Sequence, residues 1–483
     1  MTNLKHQLFS GVMYSALSKY AGLFISLAVT GILARLLPPS DFGTVSIATV
    51  LIQFFSVLAN AGIASAIIQH KELGNRDINE IYMATLWIGG VLAALVFALA
   101  GPAAAFYHDP RLLPLCRWLS ASLFLSAASV VPNTLFYKEK RFRYIARRTL
   151  AIQAVTGIFA IGTALSGMGI YSLLVQPLLS NLLIYMTALK SYPQQWLWTT
   201  GINSLKRIGR YSLYQFLFDT TGYFTRNLDK LLVGKFMGMQ PLAYYEKSYR
   251  LMTLPLQNVT YVITPVLHPL LSDYRDDAGR LAEVNGRISR LLAFIGFPLS
   301  ALFFFSAPEW VICFFGSQWQ ASVPLFRILS LSVGFQLVLS SSGSFYQAGG
   351  YTKGLFLCGL FGAAATMASV LCGIFLWGSL SGTAVCMVVA SLACFVQCYW
   401  LLYRRLFRCS LHRFYRQLAA PFLLGVGIAA LLWLFSFVCG NWPLLVSLIV
   451  KSALSLLAVI GYLHLTGEYP VLSILYNKIG EKP

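Results

Sequence analysis

Asp219, Tyr223, Arg226 and Lys230 follow one another at spacings of four, three and four in residues 211–235, a stretch otherwise apolar enough to cross a bilayer. With about 3.6 residues per helical turn, these four and Gln215 share one side of a helix, and Asp229 lies close by in sequence. Charge inside a membrane span is expensive, so it faces a protein interior or a watery cavity and marks a route for something polar. Such a face offers ionic recognition rather than bond-making. Bond-making constellations do not suggest themselves. The single Gly-Lys pair, Gly234-Lys235, has Asp229 where a phosphate-cradling loop needs its first glycine. The six histidines (6, 70, 108, 268, 412 and 464) show no metal-ligand spacing. The expectation is no enzyme, no cofactor and no metal.

The elements that position this face are transmembrane helices. Of 483 residues, 57% are hydrophobic and 11% charged, against about 25% charged in soluble globular proteins. A span needs about 20 apolar residues. Fourteen are expected: 11–35, 42–69, 81–104, 112–136, 149–166, 168–190, 207–234, 243–270, 289–314, 323–348, 352–376, 380–403, 417–438 and 443–466. The fold class is therefore an all-α polytopic membrane protein. The first apolar run continues too far for a cleavable signal. With the N-terminus placed in the cytoplasm, 25 of the 36 Lys and Arg fall in cytoplasmic segments, five on the opposite side and six within spans. This loop-by-loop bias predicts both termini inside. The net charge of +20 is spread over short loops, which argues against nucleic acid as a partner. The densest loop, 137–148, is expected to touch anionic lipid headgroups. Within the spans, Arg327 and Lys451 read as snorkelling or structural pairs, and Glu309 and Trp310 as interfacial. The nine cysteines show no disulfide or metal pattern and read as buried thiols.

A repeat of 200 residues relates span 1 to span 7. Arg35 meets Lys235, and Lys19 meets Asp219, each of the latter roughly 12 Å into its span at 1.5 Å per residue. LFYKEKRF (135–142) is echoed by SFYQAGGY (344–351). The expected organisation is a first lobe at 1–190, a cytoplasmic linker at 191–206, a second lobe at 207–405, and two extra spans with a cytoplasmic tail at 406–483. Two six-helix units inserted in the same orientation are related by an axis along the membrane normal, with a cavity between the lobes near mid-membrane.

ARLLPPSDFGTVSIATV, LFYKEKRF and RNLDKLLVGKFMG followed by AYYEKSYRL resemble the polysaccharide transporter family. That family belongs to the multidrug/oligosaccharidyl-lipid/polysaccharide exporter superfamily, and the closest likeness is to Wzx-type flippases of the colanic-acid-exporter branch. The resemblance covers about residues 5–410. It implies two six-helix lobes around a central cleft that works by alternating access in the bacterial inner membrane. It implies an undecaprenyl-diphosphate-linked oligosaccharide as substrate, moved from the cytoplasmic to the periplasmic leaflet for surface polysaccharide synthesis. Spans 1, 2, 7 and 8 are expected to line the cleft. A polysaccharide polymerase and a chain-length regulator are candidate partners, and H+ or Na+ a candidate coupling ion.

For such a substrate the tail can stay in lipid, while the diphosphate and sugars need a polar route. Arg226 and Lys230, at i,i+4, repel each other, and an anion between them relieves that repulsion. With Lys19 and Arg250 they are the expected headgroup site, and Arg226–Asp229 and Arg250–Glu246 pairs are the structural alternative. Asp219 either pairs with Lys19 as a cytoplasmic gate or couples transport to an ion, with Asp229 as a second candidate. Tyr223 lies on the charged stripe and is a candidate sugar-stacking ring. Tyr211, Tyr214, Phe224, Tyr244, Tyr245 and Tyr249 fit helix packing or an interfacial belt equally well. Two other functions compete. A multidrug exporter of the same superfamily needs an acidic cavity. A membrane polymerase or ligase of lipid-linked glycans needs a large outward loop, and every outward loop expected here is short.

Overall fold

The computed structural model describes residues 2–60, 62–70, 72–195, 197, 220, 222–223, 226–272, 277–438 and 442–466. Among them the regular structure is helical throughout. The helices are α1 (Thr2–Leu36), α2 (Pro39–Asn60), α3 (Ile63–Gln69), α4 (Asn75–Tyr107), α5 (Leu112–Lys138), α6 (Phe142–Leu165) and α7 (Ser172–Ser191). They continue with α8 (226–237), α9 (Met239–Ser272), α10 (Ala278–Phe305), α11 (Ala307–Phe315), α12 (Ser322–Ser330), α13 (Val333–Leu339) and α14 (Ser342–Ala348). The last four are α15 (Thr352–Phe375), α16 (Leu380–Leu401), α17 (Leu411–Val438) and α18 (Leu444–Thr466). Contacts divide the chain into two compact units, Met1–Ala243 and Tyr244–Pro483.

Eleven helices among the described residues are long and apolar enough to cross a membrane, or twelve if the bent α12 and α13–α14 pair counts as one. Fourteen were expected. Most of expected span 7 lies outside the described residues. The α9 helix, with Glu246, Lys247 and Arg250 along it, is not among the eleven. Expected span 10 is broken, its halves bent by 49°.

In the first unit α5 is the hub, packing against α2, α3, α4 and α7. Lipid tails are as apolar as leucine, so membrane helices associate through close packing and hydrogen bonds, and small residues let backbones approach. Ser120, Ser122, Ala127, Ala128 and Ser129 serve that purpose on α5. Asn181 of α7 donates to both the carbonyl and the hydroxyl of Ser122, at 3.2 and 2.8 Å. Helix α1 runs alongside α6, where Ser18 Oγ donates to the Ala146 carbonyl at 3.3 Å. Arg148, counted above with a cytoplasmic loop, is instead buried on α6. Its Nη2 donates to Asn133 at 2.5 Å and its guanidinium lies 4.9 Å from the Phe136 ring.

In the second unit α10 packs against α12, α13, α17 and α18. The break between α12 and α13 frees backbone groups that lipid cannot satisfy. Ser300 Oγ satisfies both ends, donating to the Ser330 carbonyl at 2.7 Å and accepting from the Gly334 N–H at 3.1 Å. Lys451 pairs with Glu309, both buried, as the structural reading of Lys451 anticipated. Ser447 Oγ donates to the same carboxylate at 2.8 Å, and Lys451 Nζ to the Phe305 carbonyl at 2.9 Å. Glu309 thus ties α11 to α18. Lys247, expected on the outer side, is buried near the Phe315 and Trp319 rings, at 5.8 and 5.9 Å.

Candidate functional site

The charged stripe is carried by α8 and the residues just before it. Gln215 and Asp219 lie outside the described residues, as do Tyr211, Tyr214 and Phe224. Tyr223 is buried, its hydroxyl donating to the Val50 carbonyl of α2 and its ring 6.1 Å from Phe54. Asn227, also buried, donates to the Tyr223 carbonyl at 3.0 Å and accepts from Lys230 Nζ at 3.3 Å. Arg226 is exposed, and its guanidinium reaches back over Gly222, where an added Cβ would lie 3.4 Å from Nη2. Asp229 is buried. Among the described residues Arg226 and Asp229 form no ion pair. The stripe therefore splits into two environments: Tyr223 and Asn227 face protein, Arg226 is open, and Lys230 is half-buried between them.

Lys19 is half-buried on α1, next to the Ser18 contact with α6. Arg250 is half-buried on α9 in the second unit. Tyr245 is fully buried and stacks on Tyr249 at 5.9 Å, while Tyr244 meets Trp319 edge-on at 5.9 Å. Tyr244 thus packs α9 against the Trp319 turn, while Tyr245 and Tyr249 stack within α9.

Sequence reasoning missed a cluster that holds α8 in place. Arg111, in the turn between α4 and α5, donates from Nη1 to Asp41 at 2.9 Å. It donates from Nη2 and Nε to Asp109 at 2.9 and 3.0 Å. Thr44 Oγ1 completes the carboxylate shell of Asp109 at 2.8 Å. Burial pushes the Asp109 carboxyl up, but the hydrogen bonds from Arg111 and Thr44 outweigh it and hold the group below the usual carboxylate range. The last turn of α8 joins the same turn: Lys235 donates to the Phe106 carbonyl and lies 3.5 Å from His108 Nε2. Beside it Gly43 of α2 presses on the turn into α9, where an added Cβ would come within 1.8 Å of the Met239 carbonyl. The two motif stretches around Asp41-Phe42-Gly43 and Gly234-Lys235 thus meet in space. The available signal was an acid at each of two turns, Asp41 and Asp109, in a chain with only 16 acidic residues.

A cavity of about 780 Å³, lined by polar and apolar groups, opens between the start of α4, the end of α5, residues 191–195 and Leu197. Of its charged residues, Arg76 pairs with Glu80 at 3.3 Å, Glu139 pairs with Arg141 at 2.9 Å, and Lys138 donates to the His70 carbonyl at 3.3 Å.

Residues 32–324 match the sequence profile of a family described as "Polysaccharide biosynthesis protein". The chain is similar to the succinoglycan biosynthesis transport protein ExoT of Rhizobium meliloti, 25% identical over 397 residues that cover 81% of this chain and 79% of that one. It is similar to the lipopolysaccharide biosynthesis protein WzxC of Escherichia coli, 24% identical over 72% of this chain and 71% of that protein. Among solved structures it superposes on the lipid II flippase MurJ in an inward closed conformation with a TM-score of 0.74 at 12% identity, over 94% of this chain and 98% of that one. An inward-facing MATE multidrug transporter gives 0.59 at 13% identity, over 80% and 94%. At such identities these two structures establish the fold alone.

Proposed function

This chain belongs to the polysaccharide biosynthesis protein family, and on that premise we propose that it moves an undecaprenyl-diphosphate-linked oligosaccharide from the cytoplasmic to the periplasmic leaflet of the bacterial inner membrane. The oligosaccharide is a building unit of a surface polysaccharide. The observation that carries the reading is Arg226: a guanidinium within a helix of a membrane protein, exposed and not paired with its nearest acid, Asp229, with a second cation one turn on at Lys230. Arg offers a planar fork that fits phosphate oxygens and Lys a point charge. A diphosphate at Arg226 and Lys230, reached also by Lys19, would relieve their repulsion and replace the water its own charge loses. The site is exposed to the two sides in turn, and the substrate shifts that equilibrium only as far as it binds one state better than the other.

In this reading fourteen helices cross the membrane and both termini are cytoplasmic. Asp219 and Lys19 close the inner end, and Asp219 or Asp229 couples the cycle to H+ or Na+. A polymerase and a chain-length regulator consume the product. The cationic stripe disfavours export of cationic drugs, despite the shared fold. The test is deletion of the protein followed by extraction of lipid-linked oligosaccharides. A defined undecaprenyl-linked unit should accumulate on the cytoplasmic leaflet, and normal levels there would sink the reading.

A further inference from the structure

A second cavity, of about 520 Å³, lies within the first unit between α2, α4, α5 and α8. Its wall is almost wholly apolar, with Phe54 and Phe55 of α2, Ala103 and Phe106 of α4, and Tyr223 and Leu231 among its residues. The Tyr223 hydroxyl on that wall is already committed to the Val50 carbonyl. Water needs two to four polar partners to occupy a cavity, and apolar cavities stay dry or take apolar ligands. An engineered apolar cavity of about 150 Å³ holds a benzene, so this one has room for several times that bulk.

Two wall residues, Tyr223 and Leu231, are contributed by the same stretch that carries Arg226 and Lys230. Residues 226 and 231 are about 7.5 Å apart along a helix axis. A ligand that uses both features is an amphiphile, anionic at one end and hydrocarbon at the other. Its phosphate would sit at Arg226, about 16 Å along the axis from the end of α8 at residue 237 at 1.5 Å per residue. A bilayer phospholipid keeps its phosphate at the membrane surface and cannot put it there while its chains stay in register with the leaflet. A prenyl diphosphate drawn into the protein can.

We propose that this cavity holds the isoprene units nearest the diphosphate of the transported lipid, while Arg226 and Lys230 hold the phosphates. The inference rests on the transport reading above and adds a seat for the tail, which otherwise would stay in bulk lipid. By fixing both ends of the junction between chain and headgroup, the site selects prenyl-linked glycans over free sugar diphosphates.

The test uses purified full-length protein and two probes, undecaprenyl phosphate and phosphatidylglycerol, competed against each other in native mass spectrometry. Wild type should retain the prenyl phosphate preferentially. Ala103→Phe, which fills the cavity, should lower its binding at least tenfold without lowering the melting temperature, and Arg226→Gln should lower it as well. A photoreactive prenyl phosphate should label α2 and α4 peptides of the wild type, a readout that stands even if Ala103→Phe misfolds. Equal retention of phosphatidylglycerol, unchanged binding by a folded Ala103→Phe, or labelling confined to other helices would each overturn the inference. Accumulation of lipid-linked oligosaccharide in the deletion strain is a separate outcome. If it occurs while the cavity fails its tests, only the tail seat is wrong; if it does not occur, the transport reading falls first.

Discussion

Arg226 and Arg111 place one residue type in two environments within one unit. Arg111 has its donors matched to Asp41 and Asp109, so it holds structure. Arg226 has no such match among the described residues and is exposed, which suits the proposed ligand role. Replacing Arg226 with alanine should leave stability within about 0.5 kcal/mol, as exposed substitutions generally do. Loss of a charge-assisted hydrogen bond of about 1.5–3 kcal/mol should weaken apparent substrate affinity roughly 10- to 100-fold, read as surface polymer per unit protein. Arg111→Ala should do the reverse, lowering the melting temperature by removing roughly 1–3 kcal/mol, toward the low end because its side chain is 42% exposed. The Asp109 carboxyl titrates lower in the folded protein than in the unfolded chain. Its contribution to stability is complete above about pH 3.9, the ordinary aspartate value, and is lost as pH falls through the lowered folded value. Acid unfolding of Asp109→Asn should lack that component. For the gate, Lys19→Asp combined with Asp219→Lys should recover more transport than either single change; no recovery would rule out a direct pair.

At the scale of elements, the apolar runs and the loop charges made most helices legible, because length and hydropathy alone decide whether a segment can cross a bilayer. What escaped depends on partners far along the chain. The break in expected span 10 falls in a stretch whose apolar residues continue on both sides of Ser330 and Ser332, and the hydroxyl that makes it tolerable, Ser300, lies 30 residues before Ser330. Ser300→Ala should leave a buried Gly334 N–H without its acceptor, at about 1–3 kcal/mol, seen as a lower melting temperature. Glu309 and Lys451 are 142 positions apart, so composition placed each separately and could not join them. Lys451→Met alone should destabilise by about 3–5 kcal/mol, since it strands a buried charge, while Glu309→Leu with Lys451→Met should be far milder. A double-mutant cycle by thermal unfolding measures the difference. Arg148 was misplaced for a simpler reason: α6 begins at Phe142, so the residue falls more than a turn inside the helix.

At the scale of the whole molecule, family membership and the flippase-like fold agree with the class read from composition. The charged face of α8 was legible as a stripe, but its split into a protein-facing and an open side was not, because that depends on where α2 lies. Orientation is checked by attaching reporters to the loops: residues 139–141 should report the cytoplasm and residues 109–111 the periplasm. The central claim is tested most directly by measuring the leaflet distribution of undecaprenyl-linked oligosaccharide in cells lacking the protein, then restored with wild type or Arg226→Ala at equal levels. The account predicts a defined unit trapped on the cytoplasmic leaflet in the deletion, cleared by wild type and still trapped with Arg226→Ala. Clearance by Arg226→Ala to the wild-type level would contradict it.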